Sequence, residues 1–250
     1  MSSNILLRNR CPVNKILKWY PSDDKPKYME NVKYHKEQLD ELEWDQNSIE
    51  YQFDSHGFRN DLTFNTVEEY NLVLGCSHSF GIGVCNNEIW FNYLKDFIDG
   101  PFYNGSIAGC SPHACLRTLK GLRQEGMKVK RVFMFIPDSS RYEIYNDEPR
   151  WNAWDTVAWW TDHAKHVGKY LLNENFLKLH YDNVLESIEL ICNTNKIEYV
   201  LHPTDGRDEL DMMISNDRKG RDLLHPGIDA HKQIGQFFYD RYSEKYNSST

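Results

Sequence analysis

The chain has 250 residues, 40% hydrophobic and 26% charged, enough to bury a large core as one α/β domain or two small ones. A formal net charge of −8 gives no basic footprint and excludes nucleic acid and anionic membrane surfaces as expected partners. Its six cysteines (Cys11, Cys76, Cys85, Cys110, Cys115 and Cys192) show no framework spacing, so reduced thiols are expected. Cys110, His113 and Cys115 lie close together but lack the paired C-x-x-C spacing of a structural zinc site, and no metal is expected.

The start, MSSNILLRNRCPVNK, lacks the apolar core of about 7–15 residues that an export signal needs, and the longest apolar runs, such as VFMFI at 132–136, are too short to span a bilayer. A soluble protein without a signal peptide is expected. Residues 1–50 are polar and charged and read as an N-terminal extension with a helix near 28–43, either an arm or a lid-like cover. Residues 51–250 read as the main domain. It opens with IEYQFDSHGFRND, a strand followed by a turn around Gly57.

From residue 70 the pattern alternates. Strand-like runs lie at 71–75, 101–106, 129–137 and 196–203, each nearly all apolar at its centre, as parallel strands covered on both faces require. Helical periods lie at 88–98 and at 111–126, the latter with Ser111 as cap and Pro112 at the first helical position. A stripe of Leu177, Tyr181, Val184, Ile188 and Ile191 predicts a helix over 173–196, and 227–242 predicts a last one with Ile234, Phe237 and Phe238 inward. This succession predicts a three-layer α/β/α sandwich with a parallel sheet, whose sites form at the carboxyl ends of its strands.

Residues 142–172 interrupt the rhythm with four of the seven tryptophans: Trp151, Trp154, Trp159 and Trp160. Two readings stand: a helical insertion that packs its aromatics into the core, or a rim that stacks on a sugar or docks a partner. The tail NSST reads as frayed.

NLVLGCSHSFGIGV at 71–84 places a glycine-serine turn at the end of a strand. It is not a dinucleotide fingerprint, because Gly81 and Gly83 come too late, nor a P-loop, because no Gly-Lys-Ser/Thr follows. The G-x-S-x-G elbow needs glycine where Ser79 stands. What remains is G-x-S-x-x-x-G, with Ser77 at its centre. Far downstream, GRDLLHPGIDAH at 220–231 holds Asp222 and His225 three apart before the last helix. A hydrolytic serine needs a base for its proton, and that histidine needs an acceptor to fix its tautomer.

These residues resemble the SGNH/GDSL hydrolases. Their first block, Gly-Asp-Ser-x-x-x-Gly, is similar to GCSHSFG at 75–81, with Cys76 in place of aspartate; their last, Asp-x-x-His, is similar to DLLHPG at 222–227. The second block, Asn-x-Gly-x-x-Gly, resembles NGSIAG at 104–109, where Asn104 and Gly109 match and Ser106 replaces the first glycine. DSHGFRND at 54–61 resembles a lead-in of some members. The third block, Gly-x-Asn-Asp, meets FIPDSSRYE at 135–143, with Asp138 nearest the asparagine position. An ionised carboxylate cannot donate to an oxyanion; Arg141 is the candidate substitute.

The resemblance implies a flavodoxin-like SGNH hydrolase fold and a Ser77–His225–Asp222 triad. It also implies an oxyanion site drawn from the Ser77 N–H, Ser106 or its neighbours Asn104 and Gly109, and Asp138 or Arg141. The implied reaction is cleavage of a small-molecule or carbohydrate ester, with a short acyl (O-acetyl) group on a sugar as the expected substrate, without a cofactor. The alternative is a non-catalytic or weakly active module of the same fold, for example a component of a phage particle, which would make the protein virion-associated instead of cytoplasmic.

Overall fold

The computed structural model describes residues 4–9, 11–61, 64–147, 153–162, 164–166, 172–204, 210, 214 and 216–247. Trp151 and the tail at 248–250 lie outside the described residues. The N-terminal part contributes β1 (Lys15–Leu17), α1 (Lys25–Tyr34), α2 (Lys36–Glu41) and β2 (Tyr51–Phe53). There follow β3 (Glu69–Gly75), α3 (Ser77–Phe80), β4 (Phe102–Asn104), α4 (Pro112–Gln124), β5 (Lys128–Ile136), β6 (Tyr142–Asn146), β7 (Ala153–Val157), α5 (Glu174–Thr194), β8 (Glu198–Pro203) and α6 (Ile228–Tyr246).

Strand periodicity explains the layering. On one face of the sheet Leu72, Leu74, Val132, Met134 and Ile136 pack against Leu119 and Leu122 of α4 and Val184 and Ile188 of α5. On the other, Val73, Phe133 and Phe135 meet Ile234 and Phe238 of α6 together with Leu39, Trp44 and Ile49 from the N-terminal segment. Side chains that alternate between two buried faces need cover on both, which gives the three-layer α/β/α sandwich. The sheet runs β4-β3-β5-β8 with every pair parallel. The Ser77 turn follows β3 at its carboxyl end.

Several local expectations are corrected. The helix expected over 28–43 is two helices, broken at His35, whose φ of −137° is not helical. The period at 88–98 is realised as 3₁₀ turns, Asn86–Glu88 and Trp90–Asp96. Ser111 does not cap α4 with its side chain; its hydroxyl is buried without a hydrogen bond, and Pro112 alone marks the start. The helical reading of the Trp-rich insertion fails at 142–146 and 153–157, where β6 and β7 form an antiparallel ladder from Tyr142↔Val157 to Asn146↔Ala153. The buried and half-buried positions of AWDTV alternate at the period of a strand. Phe237 is half-buried, not inward like Ile234 and Phe238. Among the described residues no helix is long and apolar enough to cross a membrane.

Candidate active site

At Gly75 the backbone of β3 turns away from the sheet. A Cβ there would stand 2.8 Å from the Phe135 carbonyl oxygen, a backbone atom of the neighbouring strand that cannot yield, so the turn requires glycine. Ser77 is then the first residue of α3, a single turn closed by the left-handed Gly81, whose N–H donates to the Ser77 carbonyl at 2.9 Å. The carbonyls at the end of that turn are held by buried Arg59. Its Nη1 donates to Phe80 O at 3.2 Å and also to Gly81 O, its Nη2 donates to Val84 O at 2.9 Å, and its guanidinium lies 4.3 Å from the Tyr51 ring centre. Burial holds this guanidinium down to about 10. Ser77 itself is half-buried, and its Oγ lies 3.9 Å from Cys76 Sγ.

The second half of the site is the loop before α6. His225 Nδ1 and Asp222 Oδ2 are 2.6 Å apart, while Asp222 Oδ1 accepts the N–H groups of Leu224 at 3.1 Å and His225 at 3.0 Å. Asp222 is fully buried. A carboxylate bonded to Nδ1 assigns the proton there and leaves Nε2 with the lone pair that a base needs. The His225 ring stands 6.0 Å from that of His78, the residue after Ser77. Burial, and then His225, push the His78 imidazole down to about 3, so it is neutral beside the site. Among the described residues no hydrogen bond joins Ser77 Oγ to His225.

The oxyanion candidates separate by their hydrogen bonds. Gly105 N–H donates to Val73 O at 2.8 Å, Ser106 N–H to Asn104 Oδ1 at 3.0 Å, and Ile107 N–H to Gly75 O at 3.1 Å. Asn104 spends its amide on Ser79 O at 3.0 Å and is fully buried. Ser106 N–H is therefore occupied within its own segment, where it orients the Asn104 side chain, and one N–H of the Asn104 amide fastens β4 to α3. The Ser106 hydroxyl is buried without a partner. Gly109 differs: it sits on an exposed turn with φ +74°, a Cβ added there would meet nothing within 4 Å, and among the described residues none accepts its N–H. Asp138 forms a local turn, its Oδ1 accepting the Ser140 N–H at 2.7 Å. Arg141 reaches toward the serine turn: its Nη1 lies 2.7 Å from Cys76 Sγ and 3.1 Å from Cys110 O, and its Nε is buried without a partner.

Arg141 also links the site to the tryptophans, its guanidinium 4.9 Å from the Trp160 ring centre. Trp160 is 47% exposed and Trp159 78% exposed, against the reading that buries them; Trp154 is half-buried and donates its indole N–H to Ile5 O at 2.9 Å. Gly109 opens onto a cavity of about 500 Å³ that Tyr20, Ala108, Glu143 and Trp154 also line.

The sequence motifs did not single out Arg59, His78, Asn31, Asp23 or Arg221. Asn31 Nδ2 donates to the Asp222 carbonyl at 3.0 Å, and Arg221 pairs with Asp23 at 2.7 Å, both groups fully buried. Arg59 lies inside DSHGFRND, so the lead-in itself was the signal for it. Among the described residues no group of three His, Cys, Asp or Glu side chains is placed to hold a metal.

Fold and site together define an α/β/α sandwich that carries a serine turn and a His–Asp loop. No family model matches the chain, and no curated protein matches it in sequence. Among solved structures it is similar to TesA, at 14% identity and a TM-score of 0.45 over 71% of this chain and 99% of that one. It is also similar to the psychrotrophic esterase EstA from Pseudoalteromonas sp., inhibited by monoethylphosphonate, at 18% identity and 0.38 over 72% of this chain and 100% of that one. A lipolytic protein of the G-D-S-L family from Veillonella parvula DSM 2008 is similar at 13% identity and 0.35, over 73% of this chain and all of that one.

Proposed function

We propose that this protein is a serine esterase of the SGNH/GDSL type that removes a short acyl group, such as O-acetyl, from a carbohydrate. The observation that carries the reading is the 2.6 Å bond between His225 Nδ1 and buried Asp222, on a loop whose imidazole stands 6.0 Å from the ring of the residue after Ser77. Ser77 Oγ attacks the acyl carbonyl as His225 Nε2 takes its proton; the same nitrogen then protonates the departing alcohol. Water, deprotonated by His225, releases the acid and restores Ser77. The oxyanion is met by the N–H groups of Ser77 and Gly109, with Arg141 as the donor in place of the asparagine that the third block lacks. The exposed Trp160 beside Arg141, with exposed Trp159 5.4 Å from it, and the cavity beside Gly109 support a sugar as the alcohol.

The second reading, a non-catalytic module of the same fold, is favoured by one observation: Ser77 Oγ has Cys76 Sγ at 3.9 Å as its neighbour and no hydrogen bond to His225. Incubation of the folded protein with a fluorophosphonate, followed by intact-mass measurement and peptide mapping, separates the two. The esterase reading expects one adduct, on Ser77, absent from Ser77→Ala and strongly slowed in His225→Ala. No adduct, or one on Ser79 or Ser106, assigns the chain to the second reading.

A further inference from the structure

The serine turn carries a sulfur that ester cleavage does not use. Cys76 directly precedes Ser77, is half-buried, and has Arg141 Nη1 at 2.7 Å from its Sγ. The thiol of Cys110 donates at 3.3 Å to the carbonyl of Gly75, the residue before Cys76, the same Arg141 Nη1 donates to the Cys110 carbonyl at 3.1 Å, and Cys115 follows on α4. Among the described residues the other two half-buried cysteines have neutral partners: Cys11 Sγ lies 3.0 Å from the Tyr20 hydroxyl, and Cys85 donates to the Ser48 carbonyl at 3.0 Å. A guanidinium against a sulfur stabilises the thiolate, and the thiolate is the form that attacks electrophiles.

We propose that Cys76 is a modification site for hydrogen peroxide, with Cys110 as the thiol that resolves the product into a disulfide. In the first step the Cys76 thiolate attacks one peroxide oxygen, the O–O bond breaks, and the second oxygen leaves as water after taking a proton, which gives a sulfenic acid. In the second, Cys110 sulfur attacks the sulfenic sulfur, its S–H proton and the sulfenic hydroxyl leave as a second water, and the Cys76–Cys110 bond forms. Two thiols lose two electrons and two protons; one peroxide becomes two waters. Acidity follows the same division: Cys110 and Arg141 hold the Cys76 thiol well below its ordinary value, whereas burial pushes Cys11 and Cys85 up to about 11. The location gives the modification a consequence, because the sulfur that would change charge is the one that tethers Arg141 beside Ser77.

The test is chemical and independent of ester turnover. The full-length protein is treated with hydrogen peroxide at neutral pH, with and without dimedone, and mapped by mass spectrometry without reduction. Dimedone is expected on Cys76 at a rate about tenfold or more above that on Cys11 or Cys85. Without dimedone a Cys76–Cys110 cross-link is expected, two hydrogens lighter and reversed by dithiothreitol. Cys110→Ser keeps the dimedone adduct and loses the cross-link. Arg141→Ala slows the reaction at Cys76 about tenfold, and Arg141→Lys restores part of it. Equal or faster labelling of Cys11 or Cys85, a Cys110–Cys115 bond in place of the expected one, or a Cys76 rate indifferent to Arg141→Ala would each overturn the proposal; should Cys110→Ser not fold, the labelling order in the unaltered chain decides. Ser77→Ala retains this sulfur chemistry while it loses the phosphonate adduct, so failure of one proposal is distinguishable from failure of the other.

Discussion

The Ser77 turn and the Asp222–His225 loop hold the two halves of the candidate site, and they are built by different means. The serine turn is fixed by the sheet it leaves: a glycine packed against the Phe135 carbonyl, a left-handed stop at Gly81, and Arg59 on the last carbonyls of the turn. The histidine loop borrows its order from the chain's beginning. Arg221 is gripped by Asp23 and lies 4.3 Å from the Trp19 ring, the Asp222 carbonyl is held by Asn31, and Trp44 Nε1 donates to Lys219 O at 2.8 Å. One half is held by the neighbouring strand and by Arg59 some twenty positions from the turn, the other by side chains 175 to 198 positions away. The first fifty residues therefore form part of the framework of the site.

The largest expected effect breaks that dependence. In Asp23→Ala the Arg221 guanidinium stays fully buried with its carboxylate partner gone, and removing one member of a buried pair typically costs about 3–5 kcal/mol. Urea unfolding should show a loss of that size, with hydrolysis of a short acyl ester lost as the loop disorders. A loss below about 1 kcal/mol would mean that the loop is held chiefly from its own side, and the contrast between the halves would fail.

The same contrast explains what could be read from sequence. The glycine-serine turn and the Asp-x-x-His loop were legible as candidates because their spacing is local. The sheet was legible from apolar runs such as LVLG and VFMFI, whose only stable home is between two covered faces. Asp23, Asn31 and Arg221 were not, since a bond across nearly 200 residues leaves no spacing to read. The hydrogen bonds that occupy Ser106 N–H and one N–H of Asn104 become visible only once β4 lies beside β3. YEIYN buries only its Glu143, and the buried set of AWDTV includes Asp155, so residue type offered no apolar period of two from which to read these strands.

The seam between the halves gives a smaller, pH-dependent effect. Trp90 donates its indole N–H to Ser79 in the serine turn, at 3.1 Å, and its backbone N–H to Nδ1 of buried His231 on α6, at 3.3 Å. Burial pushes His231 down to about 3 from an ordinary 6.5, so between those values the unfolded chain binds a proton that the folded chain refuses. Stability from this group is complete above about pH 6.5 and is lost as the pH falls toward 3. Melting temperature should therefore fall from pH 7 to pH 4, and His231→Asn, which keeps an acceptor for Trp90 N–H, should flatten that slope. An equally steep slope in the variant would assign the acid sensitivity to other groups, of which His78 is the next to test.

Asn31→Ala is smaller again. It removes one hydrogen bond to the Asp222 carbonyl in a buried setting, a change of about 1 kcal/mol in unfolding. Its diagnostic is the division of kinetic effects: a fall in kcat with little change in KM is expected if Asn31 serves to position the Asp222–His225 pair. Equal losses of stability and no change in kcat would reduce Asn31 to packing.

The smallest effect is expected at Asp138, where the resemblance to known hydrolases places an asparagine and this chain has a carboxylate. If that carboxylate faced the oxyanion, its removal would raise the rate, since like charge opposes the transition state. The observed bond instead turns Asp138 Oδ1 onto the Ser140 N–H at 2.7 Å, and the cation of the segment, Arg141, carries the contacts to Cys76 and Cys110. Asparagine can accept the same Ser140 N–H through its amide oxygen, so Asp138→Asn preserves the turn while it deletes the charge. The expected change in kcat/KM is less than about twofold, under about 0.4 kcal/mol of barrier. A rise of about tenfold, or 1.4 kcal/mol, would place the carboxylate at the oxyanion after all. A comparable fall without unfolding would mean that its charge holds Arg141 in place, and Arg141→Lys in the same assay would then be expected to show the same loss.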